Sequence, residues 1–156
     1  MIKSKVYSLI SDELPHFMTD SWITNFSNAA ALLYQHLPDI NWVGFYLKSG
    51  DSLVLGPFCG KPACMEIKLG KGVCGTSALQ RQTIIVKDVH QFDGHIACDS
   101  ASQSEIVIPI LQNGKLIGVL DVDSPQLSRF DFMDAQELEK IVRVIVNKTN
   151  FSNLSL

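Results

Sequence analysis

The sequence predicts an α/β domain of the α+β kind: a central, mostly antiparallel sheet with N- and C-terminal helices packed on one face. Three observations carry that expectation. Apolar residues recur at helical spacing near both ends of the chain. Between them lie short runs rich in aromatic and β-branched residues. Two of the gaps between those runs are hairpin turns, Ser49-Gly50-Asp51 and Gln112-Asn113-Gly114-Lys115, and Asn-Gly is the strongest short hairpin signal. A length of 156 residues with 46% apolar side chains suits one domain, spanning 1–156, with a real core.

In chain order, residues 5–14 read as a short helix broken by Pro15. Asp20 is placed to cap a second helix reaching about residue 36. Its apolar stripe is Trp22, Phe26, Ala29, Ala30, Leu33 and Leu37, and Pro38 stops it. Residues 41–47 read as a strand, and 52–56 as its return. A period of two puts Trp42, Gly44 and Tyr46 on one face, with Val43, Phe45 and Leu47 on the other. Residues 65–69 alternate as a short strand. A glycine-rich turn over 70–75 enters a short helix ending near 80, and 83–86 is another strand. Residues 106–111 and 116–123 form the second hairpin. Asp131, with Asp134 three residues on, caps a final helix striped by Leu138, Ile141, Val142, Ile145 and Val146. The polar tail over 150–156 is expected to fray.

Net charge is −3, and the lysines and arginines are scattered, which argues against a nucleic-acid partner. No apolar run approaches the length of a membrane span. The first eight residues hold no long apolar segment, so no signal peptide is expected and the expected compartment is a reducing cytoplasm. Cysteines there are more often catalytic or metal-binding than structural cross-links.

The stretch most in need of a reason is the long connection over 88–105. Loops of that length inside a compact domain are uncommon unless they are functional or disordered. This one carries His95, Cys98, Asp99 and Glu105. The chain has four cysteines, Cys59, Cys64, Cys74 and Cys98. They contain no C-x-x-C, so a zinc site is disfavoured and no metal is expected. Cys59, next to Phe58, reads as a small buried hydrophobe. Cys74 divides evenly between that reading and a functional one. Cys64 and Cys98, both in loops, read as reactive thiols. A thiol-based redox enzyme needs two: one attacks and is oxidised, and the other resolves it as a disulfide. His90 and His95 read as loop residues with local hydrogen bonds rather than as a His–Cys catalytic pair.

A second constellation is acidic. Asp121 and Asp123 alternate on one strand and so share a face. They end an apolar run, a costly place for carboxylates unless they are paired or exposed. Should they converge with Glu105, like charges raise at least one pKa and leave a protonated acid at neutral pH. Such a site binds an ammonium group and also donates a proton. Solvated strand-end carboxylates are the plainer reading. Trp42 and Tyr46 share a face as well, either as core or as the wall of a ligand pocket.

Several motifs then stand in order: Asn41-Trp42-Val43-Gly44-Phe45-Tyr46, Gly60-Lys61-Pro62-Ala63-Cys64, Gly70-Lys71-Gly72-Val73-Cys74-Gly75-Thr76, Gly94-His95-Ile96-Ala97-Cys98-Asp99, Ser104-Glu105-Ile106-Val107 and Leu120-Asp121-Val122-Asp123-Ser124-Pro125. With these the chain resembles the free methionine-(R)-sulfoxide reductases, stand-alone GAF-domain enzymes, over nearly its whole length. The resemblance implies reduction of free L-methionine (R)-sulfoxide to methionine, without a cofactor, with thioredoxin as reductant and a homodimer as the assembly. It implies Cys98 as nucleophile, Cys64 as the resolving thiol and Cys74 as a third cysteine that relays or assists. It places Glu105, Asp121 and Asp123 on the substrate and Trp42 and Tyr46 as the aromatic pocket; a sulfoxide oxygen must be protonated or hydrogen-bonded before attack, and Asp123 and Glu105 are the first choices to do that. Cys59 departs from the family pattern, where glutamine is usual, and so leaves open whether Cys64 is the only resolver. The alternative function is a non-catalytic GAF sensor that binds a small metabolite or responds to redox state, because one fold serves many functions.

Overall fold

The computed structural model describes residues 2–96, 98 and 100–156. Asp99, named above among the polar residues of the long loop, lies outside the described residues, as do Met1 and Ala97. Six strands form one sheet: β1 (Trp42–Ser49), β2 (Ser52–Gly60), β3 (Glu66–Lys68), β4 (Ile84–Val86), β5 (Ser104–Gln112) and β6 (Lys115–Ser124). They lie in the order β3-β2-β1-β6-β5-β4, and every neighbouring pair is antiparallel. Both expected hairpins are present. Asn113 and Gly114 take φ of 50° and 77°, the left-handed pair that a two-residue turn needs to match strand twist.

Among the described residues there are also four α-helices, α1 (Lys3–Glu13), α2 (Trp22–His36), α3 (Gly72–Gln80) and α4 (Phe132–Lys148), and two short 3-10 turns, Leu14–Phe17 and Val89–Gln91. Helices α1, α2 and α4 cover one face of the sheet. Phe26, Ala29, Ala30 and Leu33 of α2 and Leu138, Ile141, Val142 and Ile145 of α4 meet Val43, Phe45, Ile106, Ile108, Leu120 and Val122 in one core. Phe26 stacks on Phe45 at 4.2 Å between ring centroids. Burial of each such large side chain contributes roughly 1.5–3 kcal/mol. Helix α3 lies apart from the others. Its Val73, Cys74 and Ala78 pack with Trp42, Tyr46, Val107 and Val119 on the opposite face, so the two faces carry separate cores.

Four details differ from the sequence reading. Strand β2 runs on to Gly60, past the expected end at Gly56. Its Pro57 is tolerated because β3 pairs only with Ser52, Leu53 and Val54, which leaves the outer edge at Pro57 without a ladder to break. The N-cap of α2 is Ser21 rather than Asp20, and the Asp20 carbonyl instead accepts a hydrogen bond from Asn150 N at 2.8 Å. The start of the tail is docked rather than frayed: Phe151 is buried, with its ring 6.0 Å from that of Phe26, because one aromatic in a polar tail suffices to anchor it. Finally, Cys59 packs against the helix-side core as a small hydrophobe would, paired with Val43, but is half-buried rather than buried. The expected capping box at Asp131 and Asp134 is formed in both directions.

Candidate active site

Strand register assembles the site. On β6 and β5, Asp123 lies opposite Glu105 and Asp121 opposite Val107. On β6 and β1, Asp123 lies opposite Trp42 and Asp121 opposite Gly44. Partners directly across an antiparallel ladder point to the same face. Glu105, Asp121, Asp123, Trp42 and Tyr46 therefore emerge together on the face that α3 partly covers. The long loop closes over them. Asn41 Nδ2 donates to Ser102 Oγ at 3.2 Å, Val89 N to Gln103 O at 2.9 Å and Gln103 N to Ser124 O at 2.7 Å. These bonds tie both ends of the loop to the sheet.

The cavity so formed has about 540 Å3 of empty space when its open mouth and the solvent before it are counted. Trp42, Tyr46, Val73, Cys74, His95, Cys98, Glu105, Asp121 and Asp123 stand on its walls. Cys98 is joined to Cys64 in a disulfide with Cα atoms 5.5 Å apart. The two loop cysteines named as reactive are thus the two that meet. Cys59 lies across the sheet from them, and so the extra thiol does not share the cavity.

The aromatic residues do more than line the wall. Trp42 stacks on Tyr46 at 5.9 Å and on Phe58 at 5.4 Å. Gly44 makes room for that stack, since a Cβ there would run into Phe58 and would lie 2.6 Å from the Trp42 ring. The Trp42 indole N–H donates to Lys61 O at 3.1 Å, and the Tyr46 hydroxyl donates to Cys64 O at 2.9 Å. Both bonds hold the backbone that presents Cys64. Periodicity gave the shared face but carried no sign of these anchors.

The electrostatics follow from burial. Glu105 and Asp121 are 6% and 5% exposed. Desolvation pushes both carboxyls well above the usual range, and the charge of Asp121 acts on Glu105 as that of Asp123 acts on Asp121. Burial likewise raises Cys74, with Asp121 and Glu105 adding to it. Cys74 Sγ lies 3.9 Å from Glu105 Oε1. Tyr46 is raised too, chiefly by desolvation. Atoms of Cys74, Glu105 and Asp121 lie within 4.8 Å of one another. Burial favours the neutral form of all three. Among the described residues, buried Asp121 Oδ1 finds no hydrogen-bond partner. His90 does make the local contacts expected of it, to Asp88. His95 makes a local bond as well, N to Phe92 O at 3.2 Å, and its Nε2 in addition lies 3.8 Å from Glu105 Oε2. Nothing in the spacing of the two residues signals this second contact.

A GAF-domain family model matches residues 22–148. The free methionine-R-sulfoxide reductase of Escherichia coli is 48% identical over 144 residues, covering 91% of this chain and 87% of that one. This chain belongs to the free methionine-(R)-sulfoxide reductase family of GAF domains. The solved structure of fRMsr from Staphylococcus aureus in its reduced form superposes with a TM-score of 0.88 at 51% identity, covering 91% and 94% of the two chains. The same protein has been solved in complex with its substrate. A Burkholderia vietnamiensis protein described as a GAF sensor matches as well, with a TM-score of 0.91 at 49% identity and 96% of each chain covered. The GAF fold is thus the one observed here. Among the described residues, no helix is long and apolar enough to cross a membrane.

Proposed function

We propose that the protein reduces free L-methionine (R)-sulfoxide to L-methionine through Cys98, and that the cavity between β5, β6, β1 and the long loop is where it does so. The observation that carries this reading is Cys98 on the wall of an acid-lined cavity, already joined to Cys64. In the reduced protein the Cys98 sulfur attacks the sulfoxide sulfur. The S–O bond of the substrate breaks and Cys98 gains the oxygen as a sulfenic acid. Methionine sulfur is reduced by two electrons and Cys98 oxidised by two. Cys64 then condenses with the sulfenic acid, releasing water and leaving the disulfide. A dithiol of the thioredoxin type exchanges with that disulfide and restores both thiols.

A sulfoxide is a poor electrophile until its oxygen is protonated. Glu105, buried and held neutral, supplies that proton. Asp123 and the unpartnered Oδ1 of Asp121 accept hydrogen bonds from the substrate ammonium, which a methionine inside a peptide cannot offer. Trp42 and Tyr46 wall the side chain. Cys74, beside Glu105, assists by sharing its proton. No bound cofactor is required by this chemistry. With it go a cytoplasmic location, one GAF unit over 1–156 and a homodimer, which sedimentation would show as twice the 17.3 kDa chain.

The test is a coupled assay with free methionine (R)-sulfoxide, thioredoxin, its reductase and NADPH. Wild-type protein should consume NADPH, and Cys98→Ser should abolish this. Full activity in Cys98→Ser would remove the assignment. Binding of the sulfoxide without any turnover would favour a sensor instead.

A further inference from the structure

We infer that His95 is a positioning residue for this reaction: it relays to Glu105 the proton that Glu105 must regain in every cycle. This rests on the reading of Glu105 as proton donor above. The mechanism leaves a proton account to close. Cys98 sheds a proton as it becomes a thiolate, while Glu105 gives one to the sulfoxide oxygen. Glu105 is buried on the wall of the cavity. Among the described residues, His95 is the neighbour placed to carry the proton between the two. Its Nε2 lies 3.8 Å from Glu105 Oε2, its side chain is 16% exposed against 8% for Glu105, and it shares the cavity wall with Cys98.

The loop fixes it there. His95 N donates to Phe92 O at 3.2 Å, and Phe92 N to Val89 O at 3.3 Å, so the ring is aimed by a hydrogen-bonded turn rather than by a free coil. Glu105 on β5, Asp121 and Asp123 on β6, Cys74 on α3 and Cys98 on the loop face the same cavity, and His90 lies near enough to act on the ring. Burial and the His90 charge both favour the neutral imidazole, the form able to accept a proton. The step then balances. The Cys98 thiol proton passes to His95, His95 passes one to Glu105, and the proton from Glu105 ends on the oxygen now bonded to Cys98. No outside acid or base enters. A contact of 3.8 Å is longer than a hydrogen bond, as is common in an empty site that tightens around substrate.

Single-turnover methionine release from the reduced protein, without thioredoxin, tests this. His95→Gln keeps an amide beside Glu105 but cannot relay a proton. It should slow release about 100-fold, and should lose the fall in wild-type rate that comes as pH drops below the ordinary imidazole range, where burial of His95 and the His90 charge shift its protonation. Added imidazole should restore His95→Ala at least about tenfold. A His95→Gln profile parallel to wild type, or no rescue of His95→Ala, would overturn the relay. Were neither variant to fold, the wild-type profile decides: a rate independent of pH through that range excludes a relaying histidine. A wild-type protein that releases no methionine at all would instead overturn the reductase reading, and the relay with it.

Discussion

At the scale of single residues, the site turns on carboxyls placed where water cannot reach them. For Glu105 and Asp121 the native pKa lies above the unfolded values of 4.5 and 3.8. Each native acid therefore binds its proton more tightly than the unfolded chain does. Stability from this source is complete below those unfolded values and is lost as pH rises through the native pKa. The empty reduced protein should accordingly melt lower at pH 8 than at pH 5. Glu105→Gln and Asp121→Asn should flatten that dependence and raise Tm at pH 8, by roughly 2–4 °C for each 1 kcal/mol relieved. Glu105→Gln should at the same time slow sulfenic acid formation about 100-fold or more. Thermal unfolding across pH, paired with single-turnover kinetics, checks both. A Glu105→Gln variant that keeps its rate would move the proton to another acid.

At the scale of elements, β1 couples the pocket wall to the resolving thiol. Trp42 and Tyr46 point into the cavity from alternate positions, and each uses its polar tip to hold the backbone over 61–64, at Lys61 O and Cys64 O respectively. Tyr46→Phe removes one hydrogen bond, worth about 1 kcal/mol, while leaving the ring. The expected result is a disulfide that forms about fivefold more slowly after oxidation, with little change in the first step. Trapping the sulfenic acid with a cyclic diketone, which should capture more of it in this variant, reads the difference. Gly44 belongs to the same strand logic. Any side chain there would push Phe58 and Trp42 apart, so Gly44→Ala should weaken substrate binding as well as stability.

At the scale of the whole molecule, the two cores divide the labour. The helix-side core holds the sheet, and the opposite face is left free to carry buried acids. The helix layer is itself pinned by Asp134, which is fully buried. It accepts from the Tyr7 hydroxyl at 2.7 Å and from Asp131 N at 2.9 Å, and pairs with Lys3 at 2.6 Å and Arg129 at 3.4 Å. Asp134→Ala removes the reciprocal half of the α4 capping box and strands the cations and hydroxyl that converge on it. A loss of about 3–5 kcal/mol is expected, measurable by urea unfolding. Because the cluster lies on the far face, protein that remains folded should retain its catalytic rate.

Much of this was written in the chain itself. The stripes of α2 and α4, the Asn-Gly turn and the two hairpins follow from local periodicity and turn chemistry, which depend on neighbours a few residues away. The identities of the acids, the aromatic pair and the loop thiols were also legible, because costly residues in apolar runs ask for a reason. What the sequence could not decide was which groups meet. Register placed Glu105 against Asp123 and Asp123 against Trp42, loop closure brought Cys98 to Cys64, and the turn at Phe92 aimed His95 at Glu105. Docking of Phe151 and the turning of Cys59 toward the helices were settled in the same way. Most of these are contacts between residues far apart in sequence, selected by the packing of the whole sheet rather than by the preferences of any one segment.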